Sequence, residues 1–452
     1  MKRILLRSPK DPFEVVSPEI TLHRNLIASN SGNLVFLQAA HKILATSNTE
    51  VVPDRLRVEP RDAGAINERY DAYAIPLANA FRLSFEPILI RMTRLIERLR
   101  IPVVILGVGA QANLRYEFDR LRPMEPSIRA FTRAVLDRSP SIGVRGEATH
   151  DYLRSLGFRD VEVIGCPSMF LYGADLRVEK RAERLDRDAR VALTVSPYVK
   201  QMGDVVMRHV ERYPNLAYIA QDIATLRLLL WGGSRSASAQ ASKLPVHLSH
   251  PLFRENRVRF YVDPWPWIAD LRTFNFSFGT RIHGTIAAIL AGTPACVFAH
   301  DSRTLELARY FGIPHRPMPA VPPDIDAADL YAEADFGELN RGHAARFATF
   351  LDYLRRHGLD QVFADGEDPS SFDARIAATA FPPAVDVATA ATAPPSVAER
   401  LGRLRYRLAR LARTPRVQQL RVAALRRTAP RVRSDESPGE GGEGGTGGSE
   451  AG

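Results

Sequence analysis

A chain of 452 residues, 45% of them hydrophobic, is longer than one ordinary core supports, so two domains with extra segments are expected. No apolar run approaches the roughly 20 residues that cross a bilayer, and the start MKRILLRSPKDPF has too short an apolar stretch for a secretory signal. The net charge of +10 is concentrated in residues 396–434, which hold twelve arginines against Glu399, and an acidic end at 435–452 partly offsets it; the body is only slightly basic, which argues against a nucleic-acid partner.

The chain opens on RILL, which reads as a first strand. In NSGNLVFLQAAHKILA a turn is followed by Leu34, Leu37 and Ile43 at helical spacing. RMTRLIERLR is an amphipathic helix, and IPVVILGVGAQ is a buried strand running into a glycine loop that ends at Gln111. SIGVRGEATHDYLRSLGFRDVEVIGCPS gives strand, turn, helix and strand, a βαβ unit whose strands should be parallel. Residues 55–90 and 111–127 carry nothing diagnostic. Cys166 and Cys296 fall in core segments far apart in sequence, which suits buried thiols in a reducing compartment rather than a metal motif or a disulfide.

The theme repeats in the second half. Residues 188–196, 215–222 and 257–263 look like strands, and PWPWIADLRT like a short helix. FNFSFGTRIHGTIAAILAGTPACVFA runs strand, turn, helix, strand, and residues 341–357 form a last helix of the body. The expected architecture is α/β, with two Rossmann-like domains facing across a cleft: an N-terminal domain at 1–180 and a C-terminal domain with its returning helix at 188–357. The link between them falls near residues 175–190. Residues 376–395, rich in Ala, Pro and Thr, read as a linker. In 396–434, Leu401, Leu404, Leu408 and Leu411 share one helical face among arginines, which suits an anionic membrane surface, with a solvated or partner-docking helix as the other reading. Residues 435–452 have the composition of a disordered tail.

Ligands of open α/β sheets bind beyond the carboxyl ends of strands. Two such places carry an arginine just before a helix: Arg145 after SIGV, and Arg281 after FNFSF. A guanidinium beside free helix N–H groups favours an anion, and its fork suits phosphate or carboxylate. His283 adds a proton-transfer group two residues from Arg281. Gly279, Thr280 and Gly284 surround the pair and would let backbone approach a ligand. His300, Asp301 and Arg303 follow the next strand and should face the same cleft, with capping of the following helix as the other role for Asp301. Asp263 is a weaker candidate. Trp265 and Trp267 either stack on a sugar or pack between domains.

The segments GTRIHGTIAAILAGTPACVFAHDSRT, ILGVGAQ and SIGVRGEATHDYLRSLGFRDVEVIGCPS together resemble the polysaccharide pyruvyl transferase family, over roughly residues 20–315. The resemblance implies a fold like the GT-B glycosyltransferases, and transfer of a pyruvyl group from phosphoenolpyruvate to a sugar as a ketal. It implies that Arg281 and His283 are the family's essential Arg-x-His pair and that Arg145 is its N-domain arginine. The family's Asn-x-Gly-Asp loop corresponds to Asn30-Ser31-Gly32-Asn33, with Asn33 in place of the acid. The expected partners are phosphoenolpyruvate and a glycan acceptor, lipid-linked in the case of a membrane-anchored enzyme at the cytoplasmic face. No metal or other cofactor is expected. The alternative is a nucleotide-sugar glycosyltransferase on the same fold, for which Glu306 would be the base- and ribose-binding carboxylate.

Overall fold

The computed structural model describes residues 1–232 and 242–391. Its strands are β1 (Lys2–Leu6), β2 (Thr49–Pro53), β3 (Ala72–Pro76), β4 (Val103–Leu106), β5 (Ile142–Val144), β6 (Val161–Val163), β7 (Val191–Thr194), β8 (Ala217–Ala220), β9 (Val258–Phe260), β10 (Phe276–Gly279), β11 (Ala295–Ala299) and β12 (His315–Pro317). The N-terminal sheet has the order β2-β1-β3-β4, and β5 with β6 continues it through the bridge between Val108 and Val144. The C-terminal sheet has the order β12-β11-β10-β7-β8-β9. Every pairing within these sheets is parallel. Parallel strands need crossovers and bury both faces, which is why strands such as VVIL and VALT are apolar throughout. The chain is thus an α/β protein of two Rossmann-like units facing across a cleft.

The last long helix, Gly337–Arg356, leaves the C-terminal sheet and packs on the N-terminal one. Tyr353 donates its hydroxyl to the Ile105 carbonyl at 2.9 Å, deep in β4. Beyond it, Val362 N–H reaches the Ile43 carbonyl at 2.8 Å. One continuous apolar cluster therefore contains Ile4, Leu106, Ile286, Leu307, Phe350 and Tyr353.

The segment expected as a linker is largely built into the fold. The helix Pro369–Ala378 covers its start, and Val385 exchanges two backbone hydrogen bonds with Phe260, at 2.8 and 2.9 Å. Phe381 and Val385 supply the apolar anchors that the surrounding Ala and Pro lack. Residues 396–434 and 435–452, with their amphipathic and acidic patterns, lie outside the described residues.

A fully buried ion pair joins the halves: Lys10, on the loop after β1, donates to Asp263, on the loop after β9. Burial pushes the Asp263 carboxyl up to about 6, against the pull of Lys10. Removing one member leaves the other charge stranded, whereas removing both does not. Lys10→Met is expected to cost about 3–5 kcal/mol, and Lys10→Met with Asp263→Leu to recover most of it. Denaturant melts of the three proteins check this; equal losses in the single and double variants would contradict it.

Candidate active site

Loops from the carboxyl ends of both sheets close on one cavity of about 360 Å³. The N-terminal sheet contributes Arg7 after β1, Asn79 and Arg82 after β3, and Arg145 after β5. The C-terminal sheet contributes Tyr198 after β7, Asp222 after β8, Thr280 to His283 after β10, and His300 and Arg303 after β11. Asn30 and Asn33 line it as well. Five guanidiniums thus face one space, and among the described residues Asp222 is the single carboxylate in its lining.

Each guanidinium is held differently. Arg145 is buried, with its Nε 3.4 Å from the Gly107 carbonyl and its Nη2 3.8 Å from Cys166 Sγ. Burial lowers its pKa, and the nearby Glu306 only partly counters that. Arg281 ends β10's turn and enters the helix Ile282–Leu290 as its N-cap residue. Its Nη2 pairs with Asp222, its Nε is unpartnered, and its guanidinium lies 5.5 Å from the centre of the Tyr198 ring. Arg303 pairs with Asp301.

His283 sits in the first turn of the Ile282–Leu290 helix, 8% exposed. Its Nε2 is 3.7 Å from Cys166 Sγ, and its ring lies against Phe36 at 5.2 Å between centres. Burial first, then Arg145 and Arg303, push its pKa down to about 3. The residues of the cavity therefore keep the imidazole neutral among guanidiniums. An anion bound between them would offset the repulsion from Arg145 and Arg303, but not the larger effect of burial, and so raise the imidazole's affinity for a proton.

Several sequence candidates take other roles. Gly279 and Gly284 do not face the cavity. Gly279 has φ +145°, and a Cβ there would lie 2.0 Å from the Thr194 carbonyl oxygen. A Cβ on Gly284 would lie 2.6 Å from Gln221 Nε2. Both glycines allow protein to approach protein, not ligand. Asp301 is the N-cap of the Ser302–Phe311 helix, accepting from Thr304 N–H at 3.1 Å while it orients Arg303. Gln111 lies outside the cavity, its backbone N–H bonded to the Phe81 carbonyl. Asn33 donates its side-chain amide to the Ala28 carbonyl at 3.0 Å, a bond that an Asp carboxylate would not make. Asn30 accepts from Gly32 N–H at 2.8 Å, bending the loop that touches Asp222. His300 lines the cavity with its Nδ1 unpartnered, and burial lowers its pKa. Asp263, Trp265 and Trp267 are buried outside it, Trp267 in the core and stacked on Tyr261.

Glu306 also lies outside the cavity lining. It reaches across the domain boundary and accepts from Thr149 N–H at 3.0 Å and from Thr149 Oγ1 at 2.9 Å. Thr149 is in the first turn of the Glu147–Ser155 helix, so the carboxylate closes the helix start beside Arg145.

Sequence reasoning missed Arg7, Asn79, Arg82, Tyr198, Gln221 and Asp222. The strand-end rule that found Arg145 also points to Arg7 after RILL and Asp222 after AYIAQ. Arg82 was hidden because β3 was not recognised. Cys166 is buried as expected, but its sulfur faces Arg145 and His283.

These features define a protein of the two-sheet α/β class whose interdomain cleft is lined by five guanidiniums and one carboxylate. The model of the family "Polysaccharide pyruvyl transferase" matches residues 30–302, and the chain belongs to that family. No curated protein is significantly similar in sequence. Solved structures similar in fold include S. aureus MnaA with UDP, at 12% identity and TM-score 0.39, covering 78% of this chain and 96% of that one. Another is the UDP-GlcNAc 2-epimerase of Methanocaldococcus jannaschii in complex with UDP-GlcNAc and UDP, at 11% identity and TM-score 0.42, covering 78% and 99%.

Burial raises the Glu306 pKa to about 7. The folded protein then holds a proton that the unfolded chain releases near 4.5, so this group's contribution to stability is present in acid and lost as pH rises through about 7. Glu306→Gln keeps an acceptor for Thr149 and has no charge to bury. It should melt higher than the parent at pH 8 and no higher at pH 5; a shift of the same size at both pH values would refute the assignment.

Proposed function

We propose that the cleft binds phosphoenolpyruvate and transfers its pyruvyl group to a sugar of a cell-surface polysaccharide or glycolipid as a cyclic ketal. The convergence of Arg145, Arg281, Arg303 and His283 on one cavity carries this reading. The donor bears a phosphate and a carboxylate, and three guanidiniums match their combined charge. Arg281 and Arg145 grip the anionic groups, with Arg303 beside them. No metal or further cofactor is assigned a part, because the guanidiniums supply the charge neutralisation.

His283 is the proton carrier. With the donor's anions beside it, the imidazole charges and delivers a proton to the methylene carbon, which leaves positive character at C2. A sugar hydroxyl attacks C2 and returns its proton to His283. The bond from C2 to the phosphate oxygen breaks, phosphate departs with the electron pair, and a second hydroxyl closes the ring as its proton passes to the phosphate. Thr280, His300, Asn30 and Asn33 also line the cavity. The alternative nucleotide-sugar reading is weakened by Glu306, which is spent on Thr149 rather than facing a ligand.

Calorimetry with phosphoenolpyruvate is the test. Saturable binding is expected, weakened about 30-fold or more by Arg281→Ala, in line with the cost of removing one partner of a buried charged contact. Because His283 is neutral beforehand, binding should take up protons, increasingly as pH falls from 7 to 5, and His283→Asn should abolish that uptake. Binding of UDP-glucose in place of phosphoenolpyruvate would overturn the assignment.

On the same reading, the enzyme works at the cytoplasmic face, and residues 396–434 bring it to an anionic membrane surface. Among the described residues no helix is long and apolar enough to cross a membrane. Sedimentation with anionic vesicles is expected for the full chain and lost on deleting residues 396–452; equal sedimentation would remove the anchor.

A further inference from the structure

The five guanidiniums of the cavity differ in what neutralises them. Arg281 and Arg303 each have an aspartate, and Arg145 lies beside Glu306 and Cys166. Arg7 and Arg82 come from the N-terminal sheet, and among the described residues neither enters an ion pair. Asp54 feels the charge of Arg7, but that carboxylate already accepts from Tyr73 Oη at 2.6 Å, Ser8 N–H at 3.1 Å and Leu56 N–H at 2.8 Å. Arg82 shares one neutral acceptor with Arg303: the Asn79 amide oxygen, turned toward them, lies 3.0 Å from Arg82 Nη1 and 2.6 Å from Arg303 Nη1. The Arg82 Nε is buried and has no partner. Burial and the neighbouring Arg303 both lower its pKa.

Phe85 stands between the two unpaired arginines. Its ring centre is 5.8 Å from Arg7 Cζ and 5.7 Å from Arg82 Cζ. All three residues line the cavity. The arrangement is an apolar ring flanked by two cationic forks, both supplied by the N-terminal sheet and adjoining Arg303 through Asn79. A sugar presents an apolar face and a rim of substituents, so a hexose over Phe85 directs a charged substituent at the guanidiniums. With a neutral sugar there, two partly desolvated cations would stay uncompensated, which is costly.

We propose that Arg7, Arg82 and Phe85 form an acceptor subsite that selects a sugar carrying an anionic group, a phosphate ester or a carboxylate. The inference rests on the reading above, in which phosphoenolpyruvate occupies Arg145, Arg281 and Arg303 and leaves this second pair of arginines free.

The test is a titration of the full-length protein, saturated with phosphoenolpyruvate, with three probes: glucose 1-phosphate, glucuronate and glucose. At least one charged probe should bind tenfold or more tightly than glucose, and which one identifies the phosphate or the carboxylate source. Arg82→Gln should weaken that probe tenfold or more, while phosphoenolpyruvate affinity changes less than threefold. Arg7→Gln, as an independent variant, should weaken the same probe, and Arg82→Lys should recover part of the loss. Thermal melts of each variant check folding. Glucose binding as well as the charged probes, or neither charged probe binding, overturns the subsite. So does a loss of phosphoenolpyruvate affinity in Arg82→Gln as large as that in Arg281→Ala. If the parent protein fails to bind phosphoenolpyruvate, the donor reading fails; the same probes titrated into the unliganded protein and Arg82→Gln then decide the subsite separately.

Discussion

A carboxylate from one domain closes a helix of the other, and the cleft depends on that contact. Glu306 meets Thr149 N–H and Oγ1, and the Thr149 hydroxyl in turn accepts from Ala110 N–H at 3.0 Å. Ser302, one turn earlier on the Glu306 helix, accepts from Ala112 N–H at 2.7 Å and donates to the Ala110 carbonyl at 3.0 Å. The loop after β4 is thereby fixed to the helix that follows β11. Arg145, whose backbone N–H bonds to Val108 on that loop, keeps a set distance from Arg281 and Arg303. Because these hydrogen bonds cross between the domains, the cleft is formed before a ligand arrives. Preorganised charges cost no rearrangement when the ligand binds.

The same preorganisation stores electrostatic repulsion. Guanidiniums outnumber carboxylates in the lining, and water is largely excluded from Arg145 and His283. The imidazole answers by staying neutral. The binding of an anion beside these guanidiniums would then be coupled to protonation of His283. Tyr198 and Asp222 hold Arg281 in place meanwhile, through its flat face and one edge, and its Nε stays free.

Much of this was legible in the sequence because strands buried on both faces are apolar runs, and the residues that end them are easy to find. Arg145, Arg281 and His283 emerge from that rule alone. β2 and β3 did not, since TEVVP and AYAIP are short and end on proline, and the site residues that follow β3 were lost with them. The glycines were placed correctly but misread. Sequence shows that a Cβ is absent, not whether a ligand or a neighbouring strand fills the space, and at Gly279 it is the Thr194 carbonyl. Composition also misjudged residues 376–391, where Phe381 and Val385 suffice to pin an Ala- and Pro-rich stretch onto a sheet edge.

The crossing of the helix Gly337–Arg356 has a consequence for synthesis. The N-terminal sheet takes Phe350 and Tyr353 into its core, and Lys2 on its first strand pairs with Asp360. As the chain leaves the ribosome, those partners emerge after every strand of both sheets. The strands of the C-terminal sheet are continuous in sequence from Val191 to Pro317, and only Val385 joins its edge from later in the chain. The first domain to be translated therefore cannot finish folding on its own strands, and until about residue 360 has been made its open face is exposed to chaperones and to other nascent chains.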